Sequence, residues 1–465
     1  MPLILPGNVG SATAATGYDV ANSCRFDYAS SDYVHKTPGS AGSGTKFVFS
    51  TWIKRTKLAT AMNIIYAQTA TNNYERIRFV DTDKIEISGV ANGSTAYNFS
   101  TNAVYRDPSA WMHLHVIRDS TQGTASNRLK VYVNGVLQTL AQDTALGENY
   151  SGLITGANVH RIAVGNGEPL GAYLAEVILL DGQVITPDGN TGEFDDDSGI
   201  WKPLDVSELT FGTTGFYLDF EASDNLGNDA NGGDDFTEVN LDATNQSIDT
   251  CTNNFATWNS LDNFYQESTF QEGNLEVRSK SPGVIYSYET YNTGNIGVSS
   301  GKWFWEAKLT AKDVGSPEIG IVDNGPTAST QQLRARTYGW SYRGAGGVDN
   351  NGSTVTGTFA SYTTGDIIGI ALNLDDNELT FYKNGAVQNS GTALSITAPA
   401  STTSGFYFPA AGDDNAGNVT WQANFGSPPY SESGGETDGN GYGNFSMAVP
   451  SGYYALNTKN LSEYG

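Results

Sequence analysis

Cysteine is almost missing: Cys24 and Cys251 are the only two in 465 residues, and neither belongs to a C-x-x-C pair. That excludes zinc-ribbon and dithiol redox motifs, and with them a scaffold framed by disulfides. One long-range disulfide stays open, but two free thiols are the expectation for a chain made in a reducing cytoplasm. Histidine is scarce too, with four scattered copies, so no Ser/His/Asp set can be assembled. Basic residues are half as many as acidic ones, 25 against 50, for a net charge of -25. A surface this acidic repels phosphate backbones and anionic lipid, so neither nucleic-acid binding nor membrane insertion is expected. No apolar run reaches membrane-spanning length. The apolar start, Met1-Pro2-Leu3-Ile4-Leu5-Pro6-Gly7, lacks the basic region and the length of a signal peptide, so synthesis in the cytoplasm without a leader is expected. No Gly-rich phosphate loop opens a helix, and no amphipathic helical period is found.

What the chain has is glycine, 54 residues, and aromatics, 11%, with charged residues at only 16%. That mixture predicts an all-β protein of strands and turns. The most legible stretch is 365–388, GDIIGIALNLDDNELTFYKNGAVQ. Ile368, Ile370, Leu372 and Leu374 alternate onto one face, Asp375-Asp376-Asn377 turns the chain, and Leu379 and Phe381 resume the face before Asn384-Gly385 turns it again. The spacing predicts a three-strand meander. Residues 128–138, RLKVYVNGVLQ, repeat the plan of 378–388, ELTFYKNGAVQ, one domain length earlier. Two sandwiches of related design follow, each with an Asn-Gly hairpin.

The chain divides accordingly. Residues 1–22 form an N-terminal arm, either loose or docked on a neighbouring subunit. Residues 23–188 form the first sandwich, with strands predicted at 47–53, 76–80, 84–87, 112–118, 129–133, 161–164 and 173–180. Residues 189–254 are an acidic, Asn/Gly-rich connector, irregular but packed, because Phe211, Phe216, Tyr217 and Phe220 are too many aromatics for a solvated tether. Residues 255–426 form the second sandwich, led in by Trp258, Phe264, Tyr265 and Phe270. Residues 427–465 form an irregular C-terminal segment, in which 427–445 has too much Pro and Gly for regular structure and Tyr453, Tyr454 and Leu456 can dock.

The chemistry sought is mostly absent. A laminarinase-type Glu-x-Asp-x-x-Glu strand is not found; Glu318 and Asp323 fall on opposite strand faces, and Asp219 and Glu221 share a parity beside a low-complexity loop. No enzymatic activity is therefore expected. His113 and His115 alternate on one strand, a spacing that can bind metal, but packing is the expected role. Asp224, Asp229, Asn231, Asp234 and Asp235 offer oxygen ligands, yet they miss the EF-hand spacing and its closing Glu, so a solvated turn is expected and neither metal nor cofactor is assigned. For ligand binding the best stretch is Tyr338-Gly339-Trp340-Ser341-Tyr342-Arg343. Its three rings share one parity: they either form a flat platform for sugar faces, with Arg343 donating hydrogen bonds, or cover the sandwich core.

Those residues also carry a family resemblance. Gly301-Lys302-Trp303-Phe304-Trp305-Glu306, Ile319-Gly320-Ile321, the 365–385 meander, Phe406-Tyr407-Phe408-Pro409-Ala410 and Asn424-Phe425-Gly426 resemble the strands of a SPRY domain. Phe49-Ser50-Thr51-Trp52-Ile53, Trp111-Met112-His113-Leu114, Val131-Tyr132-Val133-Asn134-Gly135 and Leu174-Ala175-Glu176-Val177 resemble a laminin-G-like, concanavalin-A-like lectin domain. The whole chain resembles a family of marine tailed-phage virion proteins that couple the two. The resemblance implies two concanavalin-A-like/SPRY-like antiparallel β-sandwiches in a non-enzymatic structural protein at the particle surface, as tail fibre, appendage or head decoration. It would contact other virion proteins, form a homo-oligomer and bind a host-surface glycan or protein through sandwich loops. The alternatives are pure decoration without a receptor and, further off, a polysaccharide hydrolase.

Overall fold

In the first half, twelve strands frame the fold: β1 (Ser23–Phe26), β2 (Tyr33–Lys36), β3 (Lys46–Arg55), β4 (Met62–Ala70), β5 (Asn73–Phe79), β6 (Ile85–Ala91), β7 (Ser94–Thr101), β8 (Met112–Asp119), β9 (Leu129–Val133), β10 (Val136–Leu137), β11 (Val159–Ile162) and β12 (Ala172–Asp181). They pair antiparallel in two sheets, in the orders β10-β9-β8-β3-β12-β1 and β7-β6-β5-β4-β11-β2. This computed structural model describes residues 17–262, 268–279, 290–313, 316–325, 332–413, 418–432 and 434–465. Most of the N-terminal arm, and Phe264 and Tyr265 of the lead-in, lie outside them. The described residues fall into two compact units that divide between Thr252 and Asn253.

The second unit repeats these twelve strands, although Leu140–Thr144, which pairs with β7, has no counterpart there. Its series is β13 (Glu276–Arg278), β14 (Thr290–Thr293), β15 (Lys302–Lys312), β16 (Pro317–Val322), β17 (Trp340–Arg343), β18 (Val348–Asn350), β19 (Ser353–Val355), β20 (Ile367–Asn373), β21 (Glu378–Lys383), β22 (Ala386–Val387), β23 (Phe408–Asp413) and β24 (Val419–Asn424). The sheet orders are β22-β21-β20-β15-β24-β13 and β19-β18-β17-β16-β23-β14, so each strand corresponds to the one twelve places earlier. The predicted repeat is the seed of this match. Asn134 and Asn384 each take φ +48°, and Gly135 and Gly385 follow at +74° and +82°, the left-handed pair that a two-residue hairpin demands. Beyond the turn, Gln138 and Gln388 each cap their own hairpin, Nε2 donating to the Val136 carbonyl at 2.8 Å and to the Ala386 carbonyl at 2.9 Å.

Both sheets bury their inner faces. Phe49, Leu114, Val131 and Leu174 meet Ile65, Ile77, Ile87 and Ile162 in the first unit. Trp303, Trp305, Ile370, Phe381 and Trp421 meet Ile319, Ile321, Trp340 and Tyr342 in the second. The outer face of one sheet is covered too, in each case by the chain that follows the last strand. All ten residues of β12 are buried. Residues 189–252, expected as an irregular connector, are therefore part of the first unit: Phe216–Leu218 pairs with β12, Thr237–Val239 with β2 and Gln246–Ser247 with β1. Hydrophobic side chains at 211–220 drive this, since a sheet that is apolar on both faces needs a second cover.

In the second unit the C-terminal segment covers β15. Tyr454–Ala455 pairs with it in parallel, and a short helix, Thr458–Tyr464, ends the chain. No helix was expected there. The Asn457 side chain accepts from the Asn460 amide at 2.9 Å and caps a turn too short to show a period in sequence. Residues 427–445 form only the isolated bridge Glu436–Phe445 among the described residues. No described helix is long and apolar enough to cross a membrane.

Candidate functional site

The expected aromatic platform is not on the surface. In β17 Trp340 and Tyr342 stand opposite Ile321 and Ile319, whose side chains point between the sheets. Tyr342 is fully buried, 5.0 Å from the ring of Tyr362 and 5.3 Å from Phe381, and its hydroxyl donates to the Ala360 carbonyl. Trp340 packs edge-on to Tyr407, and Tyr338 rests half-buried on the same core. The shared parity is real, but it belongs to the core face. Arg343 has the opposite parity and pairs with Asp349 at 2.9 Å, away from the three rings. The four residues do not converge on one ligand.

The other candidates are spoken for. His113 Nδ1 accepts from Trp201 Nε1 at 3.1 Å and its Nε2 bonds Ser50 Oγ at 2.7 Å; His115 bonds Thr191 Oγ1 and the Ile185 carbonyl. Burial pushes both imidazoles down, that of His115 to about 4, so both stay neutral packing groups. Asp229 pairs with Lys36 at 2.9 Å and accepts the Tyr217 amide, while Asp235 accepts from the Asp229 amide and from Asn225. Among the described residues no group of three or more His, Cys, Asp or Glu side chains is arranged to hold a metal. Cys24 and Cys251 are free thiols.

The site that does assemble lies at one end of the first sandwich. The β7–β8 loop, the last residues of β3 and the Asn134 turn enclose a cleft of about 320 Å³ lined by Val104, Tyr105, Arg106, Asp107, Trp111 and Asn134. Its floor is a charged knot. Arg55 is buried; its Nη2 donates to Asp83 Oδ1 at 3.1 Å and its Nη1 to the Tyr105 carbonyl. Arg106 closes the knot from outside, Nε to Asp83 Oδ2 at 2.8 Å, with its side chain 59% exposed. Burial alone would raise the Asp83 carboxyl, but the Ala59 amide, Arg106 and Arg55 outweigh it and hold it below the usual range. Burial pushes the Arg55 guanidinium down to about 10, and only Asp83 keeps it from falling further.

The walls are fixed as firmly. Trp111 is half-buried, and its Nε1 donates to Asp249 Oδ1 at 3.0 Å; that carboxylate is itself held by Lys54 at 2.7 Å. Tyr105 donates to Gln138 Oε1 at 3.0 Å, so the hairpin cap also orients a cleft residue. Asp107 Oδ1 accepts from Ser109 N and Oγ, and Asn134 Oδ1 accepts from the His113 amide. Asp107 Oδ2, Asn134 Nδ2 and Arg106 Nη1 carry no protein hydrogen bond among the described residues. Aromatic and aliphatic walls with a few polar atoms beside them are what a small polar ring with an apolar face needs. Sequence reading missed Tyr105, Arg106 and Asp107, because a short loop gives no periodic signal, and it used Trp111 only as a strand marker.

Comparison with known proteins finds one match within each unit. Residues 28–187 match the family described as the concanavalin A-like lectin/glucanases superfamily, and residues 302–427 match the SPRY domain. Ran-binding protein 9 of Xenopus tropicalis is 30% identical over 167 residues, which cover 34% of this chain and 28% of that protein, so this chain spans little more than a quarter of that relative. The SPRY domain of human HERC1 is 19% identical, covering 32% of this chain and 86% of that one at a TM-score of 0.25. A putative carbohydrate binding protein from Bacteroides ovatus is 15% identical, covering 48% and 58% at a TM-score of 0.33. Matches to these two kinds of sandwich suggest carbohydrate or protein binding as the broad role.

Proposed function

We propose that this chain is a non-enzymatic binding protein whose first sandwich holds a surface glycan of a host cell in the cleft between Tyr105 and Trp111. The observation that carries the reading is the cleft itself, an aromatic wall locked by Asp249 beside Arg106, Asp107 and Asn134, whose outward polar atoms have no protein partners among the described residues. The resemblance of the whole chain to tailed-phage virion proteins supports display on a particle, with many copies turning weak single sites into firm attachment. Trp111→Ala tests it. Binding to host cells or their isolated glycans should weaken about tenfold or more per site, the equivalent of about 1.4 kcal/mol, in a protein whose circular dichroism is unchanged. Unchanged binding by folded Trp111→Ala removes the cleft from the account and leaves the chain as particle decoration.

A further inference from the structure

Strand β12 differs from its counterpart β24 by one inserted residue. Against β3 its register slips between Ala175 and Ile178, with the extra residue in β12; in the second unit β24 pairs with β15 continuously from Asn424 to Trp421, and the slip between Leu309 and Ala311 puts the extra residue in β15 instead. Glu176 lies in that bulge with φ +50°, a left-handed backbone that costs a glutamate energy, and its carboxyl is buried. The counterpart β24 has no inserted residue of its own and no residue at positive φ. The side chain points into the cover, where Tyr217 Oη donates to Glu176 Oε2 at 2.8 Å and Tyr18 Oη lies 3.4 Å from Tyr217 Oη. Tyr18 and Val20 enter the unit here: Val20 packs with Trp52, Ala175 and Trp201, and its amide donates to Thr252 Oγ1 at 3.2 Å.

We propose that Glu176 is a proton-sensitive latch that holds residues 17–20 against the first sandwich and releases them when the carboxyl ionises. Among the described residues no cation faces the group. From the cover it meets Tyr217, Asp205, Asp219 and Glu221, from the incoming segment Tyr18, and from the closing turn the Cys251 thiol. Burial pushes the carboxyl up to about 8; the Tyr217 hydroxyl pulls it back, and Asp219, Asp205 and Glu221 push it further. The latched state therefore holds its proton more tightly than a solvated glutamate, near 4.5, would. By linkage latching is fully supported below 4.5, weakens as pH rises above it, and has lost this support once pH has passed 8. Ionisation leaves a buried anion with one hydrogen bond among like charges, and moving Tyr18 and Tyr217 aside lets water in.

Hydrogen exchange read by mass spectrometry tests the latch on the full chain. Corrected for intrinsic rates, peptides over 17–22 and 214–220 should exchange at least tenfold faster at pH 9 than at pH 6.5, while 368–373 in the second unit stays unchanged. Glu176→Gln keeps the shape without the proton and should abolish the dependence. Tyr217→Phe removes the one hydrogen bond that favours the anion and should move the midpoint to higher pH, which keeps the test open if Glu176→Gln fails to fold. Flat exchange in the natural sequence, the same pH response in Glu176→Gln, or an unmoved midpoint in Tyr217→Phe overturns the latch.

Discussion

Ending the chain at residue 188, where strand patterning alone closes the first sandwich, should leave it unable to fold, whereas ending it at Thr252 should not. The shorter fragment lacks Phe211, Phe216, Tyr217, Leu218, Phe220, Leu226 and Phe236, all buried at 5% exposure or less. At about 1.5–3 kcal/mol for each buried side chain, their loss removes about 10 kcal/mol or more, as much as the whole stability of a typical domain, about 5–15 kcal/mol. Two further costs point the same way. Lys36 and Lys54, both largely buried, lose their ion-pair partners Asp229 and Asp249. Ile178, Leu180 and Val48, on the outer face of β12 and β3, would meet water. Circular dichroism melts and size-exclusion chromatography decide it: a sharp melt for the fragment ending at Thr252, and aggregation or a broad, non-cooperative melt for the one ending at 188. Cooperative melting of the shorter fragment within a few degrees of the longer one would refute the claim that the cover belongs to the core.

Two other substitutions probe buried polar knots. Glu75 is buried and accepts from Arg118, Tyr97 and the amides of Leu153 and Ile154; Glu75→Ala should cost about 3–5 kcal/mol in urea unfolding, because it strands the Arg118 charge. Glu306, also buried, accepts from the amides of Ser446 and Met447 and from Asn424; Glu306→Ala should cost about 2 kcal/mol or more and speed hydrogen exchange at Met447, since each donor it abandons carries a desolvation penalty.

Where sequence reading succeeded, one face of a strand was buried and a turn had a chemical signature. Leu129–Val133 and the 367–387 meander stand as the alternation places them. It missed strands such as Met62–Ala70 and Ser94–Thr101, where uncharged polar residues interrupt the apolar alternation and blur the period. The platform at 338–343 shows a further limit. Period two tells which rings share a face, yet the inner face of β17 and a solvent-facing aromatic strip would read alike until the strand opposite is known to carry Ile319 and Ile321. The cleft was invisible for a different reason, since it is made of loop residues brought together by Asp83, Asp249 and Gln138, none of them near in sequence.

The duplicated topology explains why the hairpin was the easiest thing to read. At corresponding places the two units carry different side chains, His113 in a stack with Trp52 and Trp201 and Ile367 beside a groove with Tyr382, yet the backbone is clasped identically. Asn134 donates its amide to the His113 carbonyl at 2.9 Å and accepts the His113 amide on Oδ1 at 2.7 Å; Asn384 does both to Ile367 at 2.8 Å. The asparagine supplies left-handed backbone and a side-chain acceptor together, so it is the unit that survives while its surroundings diverge. Asn134→Ala and Asn384→Ala should each lose one hydrogen bond and tolerance of positive φ, about 1–2 kcal/mol. Asn134→Gly and Asn384→Gly keep the backbone freedom and should cost about 1 kcal/mol, the bond alone. Hydrogen exchange at His113 and Ile367 reads the two sites separately. Equal losses for alanine and glycine at both sites would mean that left-handed strain contributes nothing and that the hairpins are held by strand pairing instead.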